Sequence, residues 1–442
     1  MAILSVFVLV ALFCSSSADE WDQVRRILRA YFPFLNVAFS AGNASGRQFE
    51  FEKGLVRMSS KLVMASASKF PAATAVAGAV ADGHLSFDTY AHDVWPWWTS
   101  SPSDRKSRVT LRHLMSFTSG FYWHDAGGEL PCLSSIKASS YTPEACAREI
   151  YDQAPFEFEP GSTWAYNSFH LQVAGAMAAS AANLTVQQLL HKYLIGRLSM
   201  HGTRWLGGEN PTLAGSMITT GDDYDKLLRA YVAYELLPKH VADEMEKDYL
   251  EQPVKIANTS SFLAGLLGHY SMCTYFECLP PKPSVFTPGC KKAGLHVDAG
   301  LFGYYPLIDR AHGTYMQVVA MKMVTSKLDF YLPTISSMVL RRIIKPLVDK
   351  ALHPPSPCGV LAAIAAAATN FSDSAVGNDE AIRRNIWQGT WETIQEAGFA
   401  PGRFRNPTDF WERLEDLCPA PGLGLVLFLA LGLPWCSVAV SP

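Results

Sequence analysis

Between residues 62 and 83 the chain passes from a short apolar, strand-like segment, Leu62-Val63-Met64-Ala65, through Ser66-Ala67-Ser68-Lys69 into a buried-helix pattern, Ala72 to Val80, closed by Asp82-Gly83. A strand that turns directly into a buried helix commits this part of the chain to a sheet with helices packed on it. The junction also carries chemistry. A lysine three residues after a serine shares a face of the first helical turn with it. The helix N-terminus favours developing negative charge, so Ser66 reads as a nucleophile and Lys69 as its base. Ser103-Asp-Arg-Lys106 and Ser134-Ser-Ile-Lys137 share the spacing but lie in polar, loop-like surroundings, so context selects Ser66.

A chain of 442 residues can bury one large core or two domains, and its net charge of −3 with thinly spread Lys and Arg gives no sign of a nucleic-acid partner. Ile3 to Cys14 is an uncharged apolar run, followed by Ser15 to Ala18 and then Asp19-Glu20. This pattern predicts a secretory leader over 1–18, cleaved after Ala18, and hence a secreted, extracellular protein. Oxidising surroundings fit the cysteines, for which Cys132 with Cys146, and Cys290 with Cys278 or Cys273, are the expected pairs. Asn43, Asn183, Asn258 and Asn370 begin Asn-x-Ser/Thr sites that can carry glycans.

Apolar spacing predicts an amphipathic helix from Trp21 to Phe32 and a hairpin from Asn36 to Gly54 around the turn Gly42-Asn-Ala-Ser-Gly46. Helices are expected over Val109 to Phe117, Leu171 to Ala182, Val186 to Leu198 and Gly221 to Leu237. Strand character returns at Leu301 to Leu307 and Gly313 to Val324, before a last helix from Ile335 to Leu352. The expected division is a sheet lobe over 19–84 and 291–352 with a helical lobe, 85–290, inserted between. A C-terminal extension, 353–442, follows the Pro354-Pro-Ser-Pro357 linker. Its tail, 417–442, has no charged residue. It reads either as a membrane tether or as an unanchored extension.

Two further segments fit the serine. Pro160-Gly-Ser-Thr-Trp-Ala-Tyr166-Asn167-Ser168 leads into an apolar helix, where a tyrosine can relay protons beside a lysine. Asp298-Ala299-Gly300-Leu301-Phe302-Gly303 opens a strand whose glycines let substrate approach the backbone.

With these pieces in this order, the chain resembles the serine β-lactamase-like hydrolases, the group holding class C β-lactamases, D-alanyl-D-alanine peptidases, D-aminopeptidases and related esterases. The matching residues are Ser66-x-x-Lys69, Asp82-Gly83-His-Leu-Ser-Phe-Asp88, Val109-Thr-Leu-Arg-His-Leu-Met-Ser-Phe-Thr118-Ser119-Gly120, Pro160-Gly-x4-Tyr166 and Gly300-x-x-Gly303-Tyr-Tyr-Pro-Leu-Ile-Asp309. The resemblance covers residues 20 to 350. It implies an α/β (α+β) fold of the β-lactamase/transpeptidase type, an antiparallel sheet flanked by helices plus an inserted helical lobe. It also implies roles: Ser66 as acylated nucleophile, Lys69 as base, Tyr166 as proton relay, and the N–H groups of Ser66 and Leu301 as oxyanion hole. No metal or cofactor is implied.

The chain departs from that family at two places. Where members read Tyr-x-Asn, Asn167 and Ser168 stand in reverse order, so Ser168 fills the amide's place with fewer donors. Where members begin the third motif with Lys or His, this chain has Asp298-Ala299-Gly300. Lys292-Ala293-Gly294 is a rival for that motif, and His296 is another cation source. A pair of charges 4 Å apart at an effective dielectric of about 20 interacts by about 4 kcal/mol, so an aspartate here changes which substrates are tolerated. The expected substrate is a small molecule or peptide with a neutral or amine-bearing ester or amide, rather than a β-lactam. A non-catalytic secreted binding protein on the same scaffold is the alternative.

Overall fold

The computed structural model describes residues 17–31, 33–122, 130–134, 137–251, 254–257, 269–277, 294–323 and 331–353. Most of the expected leader, Cys14, Cys278, Cys290, Asn258, Asn370, Lys292, Ala293 and the extension with its tail lie outside them. Among the described residues no helix is long and apolar enough to cross a membrane.

The chain divides into two compact units. One comprises Met1–Val24 and Leu347–Pro442; within it Lys350 pairs with Glu20 at 3.0 Å. The other, Arg25–Pro346, holds the sheets and the candidate site. Helix α1 (Ser17–Ala30) begins a turn earlier than its apolar stripe predicts.

Strands β1 (Val37–Asn43) and β2 (Gly46–Lys53) form the expected hairpin, with Phe39 opposite Phe51 and Ala41 opposite Phe49. Alternating burial in β2, with Phe49 and Phe51 inward and Glu50 exposed, marks a strand with one wet face. After β3 (Leu62–Val63), short pairings involve β4 (Thr163–Trp164), β5 (Arg204–Trp205), β6 (Met217–Thr219) and β7 (Lys255–Ile256). The main sheet is completed by β8 (Tyr275–Phe276), β9 (Leu295–Val297), β10 (Tyr305–Asp309) and β11 (Thr314–Val319). Its order is β2-β1-β11-β10-β9-β8, antiparallel throughout. Strands β10 and β11 are buried along their whole length, as central strands covered on both faces must be.

Two expectations change here. Tyr275–Phe276, placed by sequence in the helical lobe, is an edge strand of the sheet. Leu301 to Gly303, read as strand, is a turn: Gly300 donates to the Tyr304 carbonyl at 2.8 Å, and Gly303 takes φ +99°. That conformation suits glycine and breaks the extended run.

Helices α2 (Lys69–Ala81) and α3 (Phe169–Ala181) pack together and are apolar nearly all round, which is why both are buried. Small residues permit their close neighbours. A Cβ on Gly78 would meet the Tyr193 ring at 2.6 Å, and one on Gly175 would meet Leu213 at 2.1 Å. Helix α4 (Gly221–Val232) ends five residues before its predicted limit and covers β1 and β11. Helix α5 (Leu332–Leu352) starts three residues early. The Cys132–Cys146 disulfide is present, whereas Cys273 is a buried free thiol and not a disulfide partner. Trp95 and Trp98 are buried packing residues, their indoles donating to Ser180 and to the Lys106 carbonyl.

Candidate active site

The turn that presents Ser66 is built from both sides. Strand β3 pairs with β6, and the Met64 N–H extends this pairing to the Met217 carbonyl at 2.9 Å. The backbone then tightens into a single 3₁₀ turn, Ala65–Ser68, before α2 begins at Lys69. Ala65 takes φ +48°, a left-handed conformation that a non-glycine residue holds only when its surroundings impose it. Ser68 supplies that constraint. Its hydroxyl donates to the Ala65 carbonyl at 2.6 Å and accepts the Met217 N–H at 3.0 Å. Tyr224 Oη fastens the Ala67 carbonyl at 3.1 Å. Pro71 costs nothing at the third position of α2, because first-turn N–H groups have no partner within a helix.

Lys69 is 3% exposed, and its Nζ reaches three groups. It lies 3.1 Å from Ser66 Oγ, donates to the Ala214 carbonyl at 2.7 Å, and sits 4.7 Å from the centre of the Tyr166 ring. The amine is thus aimed at the serine oxygen and kept there by a backbone acceptor and an aromatic face. Lys106, from a competing Ser-x-x-Lys spacing, instead donates to the Tyr151 carbonyl, and Ser103 bonds Ser101.

The Tyr166 loop is positioned by the segment after Val109. Ala165 N–H bonds the Phe117 carbonyl at 3.0 Å, and Gly161 N–H bonds the Thr118 carbonyl at 2.8 Å. His170 is fully buried, and desolvation pushes its pKa down to about 3, so the ring is neutral. One nitrogen must then donate and the other accept. The pattern fits Nε2 donating to the Ala165 carbonyl at 2.8 Å and Nδ1 accepting from Ser119 at 2.8 Å. The Tyr166 ring stacks on Tyr275 with centroids 6.2 Å apart. Among the described residues its hydroxyl makes no hydrogen bond to Ser66 or Lys69; the ring face meets the amine instead.

Asn167 is buried and spent on structure. Its amide donates to the Phe121 carbonyl at 3.1 Å and accepts the Phe169 N–H at 3.0 Å. Ser168, half-buried at the N-cap of α3, leaves its hydroxyl out of capping.

Gly300 lies against the serine turn: a Cβ there would strike the Met64 carbonyl at 2.3 Å and meet Ala67 at 3.4 Å. This contact sets the turn that holds Gly300 against the turn that holds Ser66. Among the described residues neither the Ser66 nor the Leu301 N–H is taken up by a backbone carbonyl.

Asp298 departs from its expected place at the substrate. The side chain is 3% exposed and turned inward, Oδ2 accepting the Phe70 N–H at 2.8 Å. His296, the other expected cation source, is buried against Thr274, and burial lowers its pKa. Ala65, Ser68 and Ala214 were missed by sequence reasoning. The second serine of Ser-Ala-Ser-Lys was the available signal for Ser68, and a backbone carbonyl such as that of Ala214 leaves none.

Burial raises the Asp298 pKa to about 7, against lowering by the Phe70 N–H and by Lys69. The other titratable groups facing it, Tyr224, Tyr270 and Cys273, are pushed up by burial and stay neutral through this range. Between the ordinary carboxylate range and about pH 7, the folded state therefore holds a proton that the unfolded state has lost. Stability falls as pH rises through that window, by on the order of a few kcal/mol. Asp298→Asn, which cannot ionise, flattens this slope in urea denaturation between pH 5 and 7.5. Equal slopes in the two proteins would assign the effect to another group.

Residues 39–247 match the family model described as Beta-lactamase. No curated protein matches the chain. Among solved structures it is similar to a beta-lactamase candidate from Bacteroides dorei DSM 17855, with 23% identity, 74% of this chain and 99% of that chain covered, and a TM-score of 0.60. It is also similar to a beta-lactamase/D-alanine carboxypeptidase from Yersinia pestis complexed with citrate, with 15% identity, 74% and 98% coverage, and a TM-score of 0.58. EstCE1, a hydrolase with promiscuous acyltransferase activity, matches at 15% identity, 76% and 98% coverage, and a TM-score of 0.55. At these identities the likeness is one of fold.

Proposed function

We propose that the chain, whose residues 39–247 match the Beta-lactamase family model and whose fold is of the β-lactamase/transpeptidase type, is a secreted serine hydrolase acting on an ester or amide through an acyl-Ser66 intermediate. The observation that carries this reading is Lys69 Nζ at 3.1 Å from Ser66 Oγ, held by the Ala214 carbonyl. In the reaction, Lys69 Nζ acts as the base that takes the Ser66 proton as the oxygen attacks the substrate carbonyl. The oxyanion forms against the N–H groups of Ser66 and Leu301. Its collapse expels the alcohol or amine, which takes a proton from the Lys69 ammonium. Water then gives a proton to Lys69 Nζ as it attacks the acyl carbonyl beside Tyr166, and Lys69 passes that proton to Ser66 Oγ as the acid leaves.

Substrate preference follows from the third motif, where among the described residues no cation faces substrate: Asp298 is turned inward onto the Phe70 N–H and His296 is buried. A substrate carboxylate gains no partner there, so neutral acyl substrates are favoured. The test is a panel of p-nitrophenyl butyrate, a neutral anilide, nitrocefin and a peptide ending in D-Ala-D-Ala. Neutral substrates should show kcat/KM at least about tenfold higher, equivalent to about 1.4 kcal/mol. Equal or better turnover of the carboxylate-bearing compounds would overturn the preference.

A further inference from the structure

Resting on the serine hydrolase reading, we propose that Asp298 is a positioning residue that ties the turn carrying Leu301 to the first turn of the nucleophile helix, and so sets where the oxyanion donors stand relative to Ser66 Oγ. Three observations place it in that role. Asp298 Oδ2 accepts the Phe70 N–H at 2.8 Å across 228 residues of sequence, one residue after Lys69. That N–H belongs to the first helical turn, where donors lack intrahelical partners and a carboxylate meets the positive end of the helix dipole. Two residues beyond Asp298, Gly300 has no room to move toward the serine, because the Met64 carbonyl and Ala67 already touch the space a Cβ would need.

The far side of the same turn is held separately. Thr334 donates to the Gly300 carbonyl at 2.9 Å, and Ser337 donates to the Gly303 carbonyl at 2.5 Å. Helix α5 therefore fixes the back of the turn, and Asp298 fixes its front to the nucleophile. The two oxyanion donors come from different elements, Ser66 from the 3₁₀ turn and Leu301 from this loop. Their separation depends on a tie between those elements, and Asp298 provides a hydrogen-bonded one. The charge of Lys69 beside it offsets part of the cost of burying a carboxylate.

The test compares wild type, Ser66→Ala, Asp298→Ala and Asp298→Asn as full chains, assayed with p-nitrophenyl butyrate alongside circular dichroism at the assay temperature. Asparagine still presents an oxygen to the Phe70 N–H, so it retains the tie without the charge. Asp298→Ala should lower kcat about 10- to 100-fold with KM changed less than about threefold, somewhat below the loss of an oxyanion donor itself. Asp298→Asn should return kcat to within about fivefold of wild type. A wild-type kcat in Asp298→Ala, a loss confined to KM, or an asparagine variant as impaired as the alanine one would overturn the proposal. If Asp298→Ala does not fold, the asparagine variant decides alone by the same threshold. Absence of Ser66-dependent turnover in the wild type would bring down the hydrolase reading together with this one, an outcome distinct from loss of the Asp298 effect alone.

Discussion

Ser66→Ala is expected to lower kcat for an activated ester by a factor on the order of 10⁶, the scale seen when an acyl-transfer enzyme loses its nucleophile. The fold should survive. Ser66 is half-buried, and its hydroxyl meets Lys69, which keeps the Ala214 carbonyl as a second acceptor. The strained residue is Ala65, and its tie to Ser68 is untouched by the change. Thermal unfolding should therefore stay within about 2 °C of wild type, as for a change outside any buried network. A large drop in stability would mean that Ser66 braces the turn rather than reacting from it.

Lys69→Met should behave differently, because Lys69 does two things. Without the amine, the Ser66 proton has no base, and kcat should fall about 10²- to 10⁴-fold. Methionine fills most of the buried stem but leaves the Ala214 carbonyl without its donor, which costs about 1–3 kcal/mol. Loss of the cation over Tyr166 adds about 0.5–2 kcal/mol. The variant should thus be both slow and less stable in urea, whereas Ser66→Ala is only slow. Near-wild-type kcat in a folded Lys69→Met protein would remove Lys69 from the base role.

The contrast between these variants shows which parts of the site can be read from sequence. Ser66 and Lys69 were legible because they are three residues apart on one turn, where backbone geometry alone sets their approach. The hairpin was legible for a similar reason, its register fixed by Phe39, Phe49 and Phe51 around a short turn. Asp298 was legible as a position but not as a direction. Its orientation answers to an unpaired N–H on Phe70, which only the folded chain brings near. Asn167 and Ser168 follow the same logic: the amide is consumed by the Phe121 carbonyl and the start of α3, and no local pattern announces that carbonyl. The stretch from Leu301 reads as strand because its residues are apolar, yet Gly303 at φ +99° folds it into a turn. Ala65 is the hardest case, since alanine carries no signal for a left-handed backbone and the strain comes from Ser68 and β6.

Covalent capture tests the central claim, that Ser66 is the acylated nucleophile. The full chain is treated with a fluorophosphonate, digested, and the adduct located by tandem mass spectrometry. One adduct is expected, on Ser66, absent from Ser66→Ala and formed slowly in Lys69→Met. No adduct, or one that maps to Ser103 or Ser134 and persists in Ser66→Ala, would contradict it.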